Sequence, residues 1–184
     1  MRFFSDPIKI MLPDNLIAKA KEFALAVVET VNYADSNQFQ KSKIQQDHFI
    51  SKLGEEAVAA VYARLHCIVK GPDYTIYLGD YKSWEDDLYI SNVPVAVKTQ
   101  TTTNAEKYGL SWTFQSSGKR RDPILDDPSA WVCLVKCNDK NNFECTVYPM
   151  ERIGDLTFRE PKLDHLKGRK KVVYFEDLNI NLIK

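Results

Sequence analysis

The residues with the most obvious chemical potential lie in one stretch, from Trp84 to Gln100. Asp87 opens a short apolar run, and after a turn at Ser91-Asn92 a second apolar run leads to Lys98 and Gln100. Side chains alternate between faces along a strand, so pairing of the two runs as a hairpin would bring the acid, the amine and the amide to one side of a sheet. A carboxylate can hold a divalent cation against a phosphate, and an amine can position or activate the attacking water. The stretch therefore indicates metal-assisted hydrolysis of a phosphodiester.

The order of these parts resembles the signature of the PD-(D/E)xK, or restriction-endonuclease-like, nuclease superfamily. In that signature an acid opens a strand, a hairpin follows, and acid-x-Lys lies on an apolar strand; Asp87 matches the first acid and Lys98 the lysine. Upstream, Leu53-Gly54-Glu55-Glu56 resembles the helix that precedes such a core and often supplies a further glutamate near the metal. Downstream, residues 131–137 and 143–150 resemble the remaining core strands. The resemblance covers about residues 47–153 and implies an α/β fold with a central mixed β-sheet flanked by helices.

One position departs from the family pattern. Ala96 stands where the second acid is usual, and an alanine binds no metal. The resemblance then implies a carboxylate from the preceding helix, either Glu55 or Glu56, of which Glu55 fits the Gly-Glu spacing better. On this basis Asp87 and Glu55 are expected to hold Mg²⁺ or Mn²⁺, and Lys98 to act on the attacking water. Gln100 is expected to orient water or phosphate.

The activity that the resemblance implies is that of a metal-dependent DNA endonuclease with a restriction, homing or repair role. The alternative is a catalytically silent DNA-binding or assembly protein that keeps the fold after losing the acid at Ala96. The sequence leaves open whether the protein forms a homodimer, because a double-strand cut can require two copies of the chain. The residues expected to contact DNA are a basic cluster and small polar residues after the lysine strand: Lys119, Arg120, Arg121, Thr101, Thr103 and Asn104. A second basic cluster lies within residues 167–171.

The elements that must position these residues follow from apolar spacing and turn signals. Helical spacing predicts a first helix from Asp14 through Tyr33, and a second helix capped by Asp47 that ends before Gly71-Pro72. A polar loop is expected at 34–46, and the tract 99–117 is rich in Thr, Asn, Gln and Ser. Strands are predicted at 74–78, 87–90, 93–98, 130–137, 143–148 and 172–175. This order favours an α/β domain with a mixed sheet.

Composition limits the class of protein. The 184 residues carry 25 basic and 25 acidic side chains, so a DNA-binding face must come from local clustering. We expect one domain over 1–184, with an N-terminal helix and a C-terminal extension packed on the core. No apolar run approaches the roughly 18 residues that a membrane span needs, and an early acid and proline argue against a signal peptide, so a cytoplasmic protein is expected. The four cysteines are then reduced; Cys133 and Cys137 alternate with apolar residues and favour a buried strand face over a metal clip.

Ordinary structural roles compete with several of these assignments. An acid near a lysine is most often a surface ion pair of little consequence, and this would be the default interpretation of Asp87 taken alone. The literal dipeptide Pro72-Asp73 is explained by turn chemistry after Gly71. Asp86 is interpreted as an exposed acid rather than a second ligand. The hairpin and the glutamate-bearing helix favour a site at Asp87.

Overall fold

The computed structural model describes residues 3–30, 40–77, 87–118 and 121–178. Asp86, Lys119 and Arg120 lie outside the described residues. The helices are α1 (Asp14–Val28), α2 (Lys41–Arg64) and α3 (Thr102–Tyr108). The strands are β1 (Ile8–Ile10), β2 (Val69–Lys70), β3 (Leu88–Ile90), β4 (Val93–Thr101), β5 (Ser111–Gln115), β6 (Trp131–Cys137), β7 (Cys145–Val147), β8 (Glu151–Arg152) and β9 (Lys170–Tyr174).

The strands form a mixed sheet and a small second sheet. The larger sheet has the order β1-β7-β6-β4-β3-β2, with β8 also paired to β6. β2, β3 and β4 are antiparallel neighbours, whereas β4 and β6 run parallel from Val95 and Trp131 to Thr101 and Cys137. The parallel pair needs a crossover, and α3 and β5 lie within it. β5 and β9 pair antiparallel as the second sheet. The predicted α/β class with a mixed sheet and flanking helices is confirmed.

The hairpin that carries the candidate residues forms as predicted. Ser91 and Asn92 both have positive φ, of 49° and 66°. Two-residue hairpin turns of this kind match the right-handed twist of the strands that they join, and asparagine tolerates the left-handed conformation well. The turn sets the register in which Leu88 pairs with Val95 and Ile90 with Val93.

The central strands are apolar because the larger sheet is covered on both faces. On one face, Val95 and Val97 of β4 and Cys133 and Val135 of β6 join a core that includes Leu53 of α2. On the other face, the alternate residues pack into a second core beneath the small sheet, which contains Val132, Leu134, Trp112, Phe114 and Val173. Ala96 packs against this second core. Alternation along β4 therefore separates Val95 and Val97 from Ala96, as the pattern predicted.

Two element predictions were wrong. α2 begins at Lys41 rather than at Asp47, because Ile44 already buries an apolar side chain one turn earlier. Residues 74–77 contain no strand, and β2 instead lies before the break at Gly71-Pro72. At the other end of the helical region, α1 ends at Val28, before the predicted limit of Tyr33; residues 31–33 lie outside the described part.

The polar tract 99–117 contains more regular structure than its composition indicated, namely the end of β4, all of α3 and β5. Thr101 caps α3, its Oγ1 accepting a hydrogen bond from the Asn104 N–H at 3.2 Å. Trp112 and Phe114 alternate into the second core, which stabilises β5 despite its polar neighbours. Two buried rings are thus enough to fix a strand in this tract.

The cysteines of the strands behave as the alternation predicted. Cys133, Cys137 and Cys145 are buried free thiols, and Cys67 is a partly exposed one. Burial raises the pKa of the Cys133 thiol, which keeps it protonated and apolar. Among the described helices, none is long and apolar enough to cross a membrane.

Candidate functional site

Helix α2 passes β4 at its closest point at Gly54. A Cβ atom on Gly54 would lie 1.8 Å from Thr99 Oγ1, so no larger residue fits while the two elements keep this distance. The close approach carries the next residue, Glu55, to the neighbourhood of Asp87, whose negative charge acts on the Glu55 carboxyl group. A glycine on a helix thus decides where an acid on that helix is placed.

Asp87 lies directly before β3 and is tied to β4. Its Oδ2 accepts a hydrogen bond from the Val97 N–H at 2.7 Å, which holds the carboxylate beside Lys98. Burial raises the pKa of Asp87, although the Val97 hydrogen bond and the positive charge of Lys98 oppose that rise. The carboxylate is therefore fixed in position, but its negative charge is only partly compensated by its neighbours.

Glu55 is almost fully buried, with 3 % of its surface exposed. Its Oε2 lies 2.5 Å from Lys52 Nζ, and its Oε1 accepts a hydrogen bond from Ser51 Oγ at 3.3 Å. Burial, and after it the charge of Asp87, raises the pKa of Glu55 to about 8 even with Lys52 in contact. The surroundings thus do not fully stabilise the two carboxylates as anions.

Glu56 is also buried but has a different partner. Its Oε1 accepts a hydrogen bond from the Tyr74 hydroxyl at 2.8 Å. Burial raises the pKa of Tyr74, and the hydrogen bond to Glu56 raises it further, so the phenol remains a donor. The two neighbouring glutamates therefore point to separate surroundings, with Glu55 beside Asp87 and Glu56 against the aromatic ring that follows β2.

Lys98 is held by an acid that the sequence analysis did not select. Its Nζ donates to both carboxylate oxygens of Asp122, at 3.1 and 2.9 Å, and lies 5.3 Å from the centre of the Phe114 ring. Asp122 Oδ2 also accepts from the Gln115 N–H at 3.2 Å, which ties it to β5. Asp122 and Lys52 belong to the cluster around Asp87, since the charges of both act on its carboxyl group. No motif pointed to either residue.

Gln100 lies on the same strand as Lys98 but is engaged elsewhere. Its Oε1 accepts from the Ser111 N–H at 2.9 Å, and its Nε2 donates to the Gly109 carbonyl oxygen at 3.2 Å. The amide thus fastens the loop before β5 to β4. The structure brings Asp87, Glu55 and Lys98 together, and it places Gln100 beside them with both amide ends bonded to the protein.

A groove of about 700 Å³ opens over the second half of β4. We call it the β4 groove. Its walls are the first half of α2, the start of α3, β5, residues 161–166 and β9. The charged side chains that line it are four lysines and three aspartates: Lys43, Lys98, Lys162, Lys170, Asp47, Asp87 and Asp139. Ser51, which is bonded to Glu55, also lines it.

The residues expected to contact DNA are distributed between this groove and the surface. Thr101, Thr103 and Asn104 line the β4 groove, where Thr101 caps α3 and the Thr103 N–H donates to Asp139 Oδ1 at 3.0 Å. Arg121 is exposed; it is ion-paired with Asp126 and also donates to the Ser116 carbonyl oxygen. Lys119 and Arg120, the other two residues of that cluster, lie outside the described part of the chain. In the second cluster, Lys170 alone lines the groove, and burial lowers its pKa.

The donor set suits a hard divalent cation only in part. Glu55 and Asp87 offer carboxylate oxygens, which Mg²⁺ and Mn²⁺ prefer. Within the described ranges no three His, Cys, Asp or Glu side chains converge closely enough to hold a metal by themselves. A pair of carboxylates is nevertheless a usual protein contribution to a Mg²⁺ site, because this ion keeps several waters and takes further oxygens from substrate phosphates.

The chain matches no protein-family model, no curated protein and no solved structure. Inference about its function therefore rests on the residues of the site and their arrangement.

Proposed function

We propose that the protein is a metal-dependent endonuclease that hydrolyses phosphodiester bonds in DNA, with its active site at the cluster of Glu55, Asp87 and Lys98. One observation carries this proposal: a buried carboxylate, Glu55, and a half-buried one, Asp87, come from different elements and lie near each other, beside a lysine on the wall of a polar groove. The sequence of a helix, the antiparallel strands β2 to β4, a crossover and a parallel strand also supports a restriction-endonuclease-like core.

Glu55 and Asp87 are the residues that would hold Mg²⁺ or Mn²⁺. The pKa values of both carboxyl groups are raised, which means that the charged forms are unfavourable in these surroundings. A cation between the two groups would stabilise both carboxylates. Lys52 now supplies some positive charge to Glu55 at 2.5 Å. When bound, a divalent cation offsets the charge of the phosphate and acidifies a coordinated water.

Lys98 would act at the phosphate and the attacking water. Its ammonium group can donate to a phosphate oxygen and favour the charge that develops there. Asp122 would set its direction, because both carboxylate oxygens contact Nζ. Asp87, held by the Val97 N–H, would keep its position whether or not substrate is present. In-line attack on a phosphodiester requires catalytic groups that are held in position, and protein contacts would hold the lysine and the acid in this way.

The experiment is incubation of purified protein with supercoiled plasmid and, separately, with single-stranded circular DNA, each with Mg²⁺ or Mn²⁺ and with and without chelator. We expect nicked or linear DNA only with free metal, and the same protein carrying Asp87→Asn to leave the plasmid intact. Absence of cleavage with either metal over a broad range of pH and salt would overturn the proposal.

The second candidate is a catalytically silent DNA-binding protein. It is favoured by Ala96, which supplies no acid to the face that carries Lys98, and by the fact that Lys98 already has Asp122 as a partner. This candidate predicts salt-dependent DNA binding without cleavage, and Lys98→Ala would then change DNA affinity by no more than any single phosphate contact.

A further inference from the structure

We infer that the β4 groove binds a single polynucleotide strand rather than an intact duplex, with Tyr108 as a stacking platform for a base. The inference rests on the proposed function for the identity of the ligand as DNA, and it deepens that proposal by naming the form of the substrate. Three features support it: the size of the groove, an exposed aromatic ring, and the position of the lysines.

The β4 groove is too small to admit a duplex, although Asp87 and Lys98 on its wall are only partly buried. Glu55 is 3 % exposed, and the side chains of Lys98 and Asp122 are 23 % and 24 % exposed. The groove above them measures about 700 Å³, within the size range of small-molecule pockets. Two strands with stacked base pairs between them exceed that space, whereas one strand with one or two nucleotides inside does not. A strand that enters the groove alone can therefore bring a phosphate to Lys98 from within the groove.

An exposed aromatic ring lies at one end of the groove. Tyr108 closes α3 and is 37 % exposed, which is unusual for a large ring in a chain that buries most others. Lys107 Nζ lies 5.1 Å from the centre of this ring. Proteins that bind single strands combine such rings, on which unpaired bases stack, with nearby cations for the backbone. In a duplex the bases are already stacked on each other and offer no free face.

Lysines of the groove lie at both ends of β9 and on β4. Lys98 lies at the centre, and two residues further along the strand, a distance of about 7 Å, Gln100 is bonded to the Gly109 carbonyl oxygen. Lys162 Nζ lies close to Gly109, since a Cβ at that position would be 3.7 Å from it. Lys162 Nζ lies over the ring of Tyr174 at one end of β9, and Lys170 lies at the other end of that strand. Cations thus line the groove at Lys98 and at both ends of β9, where they could contact successive phosphates of a strand.

The test measures binding without catalysis. A fluorescent oligothymidylate of about 12 nucleotides and a duplex of equal length are titrated with the protein in EDTA, and anisotropy reports binding. We expect the single strand to bind at least about tenfold more tightly than the duplex. Tyr108→Ala should weaken single-strand binding about tenfold, and Tyr108→Trp should restore it, because tryptophan again offers a ring face on which a base can stack. Lys162→Gln and Lys170→Gln should each weaken binding and reduce its salt dependence.

Matched controls separate the groove from the rest of the surface. Tyr77 is exposed to the same 37 % as Tyr108 but lies outside the groove, and Lys21 is an exposed lysine of α1. Tyr77→Ala and Lys21→Gln should leave single-strand affinity within about twofold. Equal or tighter duplex binding, or a Tyr108→Ala variant that binds like the wild type, would overturn the inference even if plasmid is cut. Tight single-strand binding at Tyr108 with no cleavage in Mg²⁺ or Mn²⁺ would instead overturn the nuclease and leave the groove assignment standing.

Discussion

The two faces of the larger sheet are closed to different extents. On the helical face, α2 covers β4 so closely that Gly54 touches Thr99, and a buried acid such as Glu56 is satisfied by a protein donor, the Tyr74 hydroxyl. On the opposite face, the small sheet covers Ala96 and contacts Lys98 and Gln100 through Phe114 and Ser111, yet both of these side chains also border the open β4 groove.

The difference shows where the sheet leaves room for a ligand. A buried polar group is stabilised by a hydrogen-bond partner, and on the closed face the Tyr74 hydroxyl provides one for Glu56. Glu55 lies on α2 and Asp87 lies beside β4 near the β4 groove. The raised pKa values of both carboxyl groups show that the fold compensates their negative charges incompletely. Changes on the closed face should therefore alter stability, and changes around the groove should alter activity.

The largest effect is expected at the floor of the groove. Asp87→Asn keeps the size of the side chain but removes a negative charge that would hold the metal, and Lys98→Ala removes the amine proposed to donate to the phosphate. We expect each to lower the single-turnover cleavage rate by about 10²–10⁴-fold with little change in the urea midpoint. Asp126→Asn, which breaks the exposed ion pair with Arg121, is the control and should cut normally. A wild-type cleavage rate for Asp87→Asn would show that the active site does not include Asp87.

The two neighbouring glutamates provide the sharpest contrast. Glu55→Gln should lower cleavage at least about 100-fold and weaken Mn²⁺ binding in calorimetry, since the substitution removes a ligand charge beside Asp87. Glu56→Gln should cut within a few-fold of wild type, because the amide oxygen still accepts from Tyr74. Equal loss of cleavage in both variants, or Mn²⁺ affinity unchanged in Glu55→Gln, would contradict the separation of the two faces.

The contact between α2 and β4 can be tested through stability. Gly54→Ala should lower the free energy of unfolding by about 1–3 kcal/mol, because the added Cβ meets Thr99 Oγ1 at 1.8 Å and the helix must shift. Thr99→Ala removes that oxygen, which finds no hydrogen-bond partner among the described residues, so the double variant should regain part of the loss. Urea titrations of the four proteins measure the coupling. Additive losses would show that the contact does not limit the approach of the helix.

A further effect concerns the dependence of stability on pH. The pKa of Glu55 is about 8 in the folded protein and near 4.5 ordinarily, so between these values the folded protein binds more protons than the unfolded chain. Stability from this group is thus present at low pH and falls as pH rises through the window, by up to about 1.4 kcal/mol per pH unit. Metal-free urea titrations from about pH 5 to pH 8 should show a smaller slope for Glu55→Gln than for wild type. Identical slopes would mean that Glu55 is not the group that titrates.

The local sequence pattern was sufficient to predict the hairpin and the face of the sheet on which its residues lie. Period-two alternation separates Val95 and Val97 from Ala96 and Lys98. The Ser91-Asn92 pair favours a tight turn between two strands. These are relations between residues close in the chain, and neighbouring backbone geometry determines them. The same reasoning failed at the start of α2 and did not find β5, because burial of Ile44, Trp112 and Phe114 outweighed the polar character around them. It also did not find α3, a short helix that buries no residue and begins at the Thr101 cap.

Tertiary packing alone decided which charges meet. Asp122 follows Lys98 by 24 positions and reaches it only because β5 and the turn after it fold over β4. Glu55 and Glu56 are neighbours in sequence, and the packing of α2 places Glu55 beside Asp87 and Glu56 against the Tyr74 hydroxyl. Alternation and turn propensity act over a few residues, whereas the distance between two charges depends on how whole elements pack. The sequence by itself therefore determined the types of groups available at β3 and β4, and the packing of α2 and β5 against β4 determined which of them form a site.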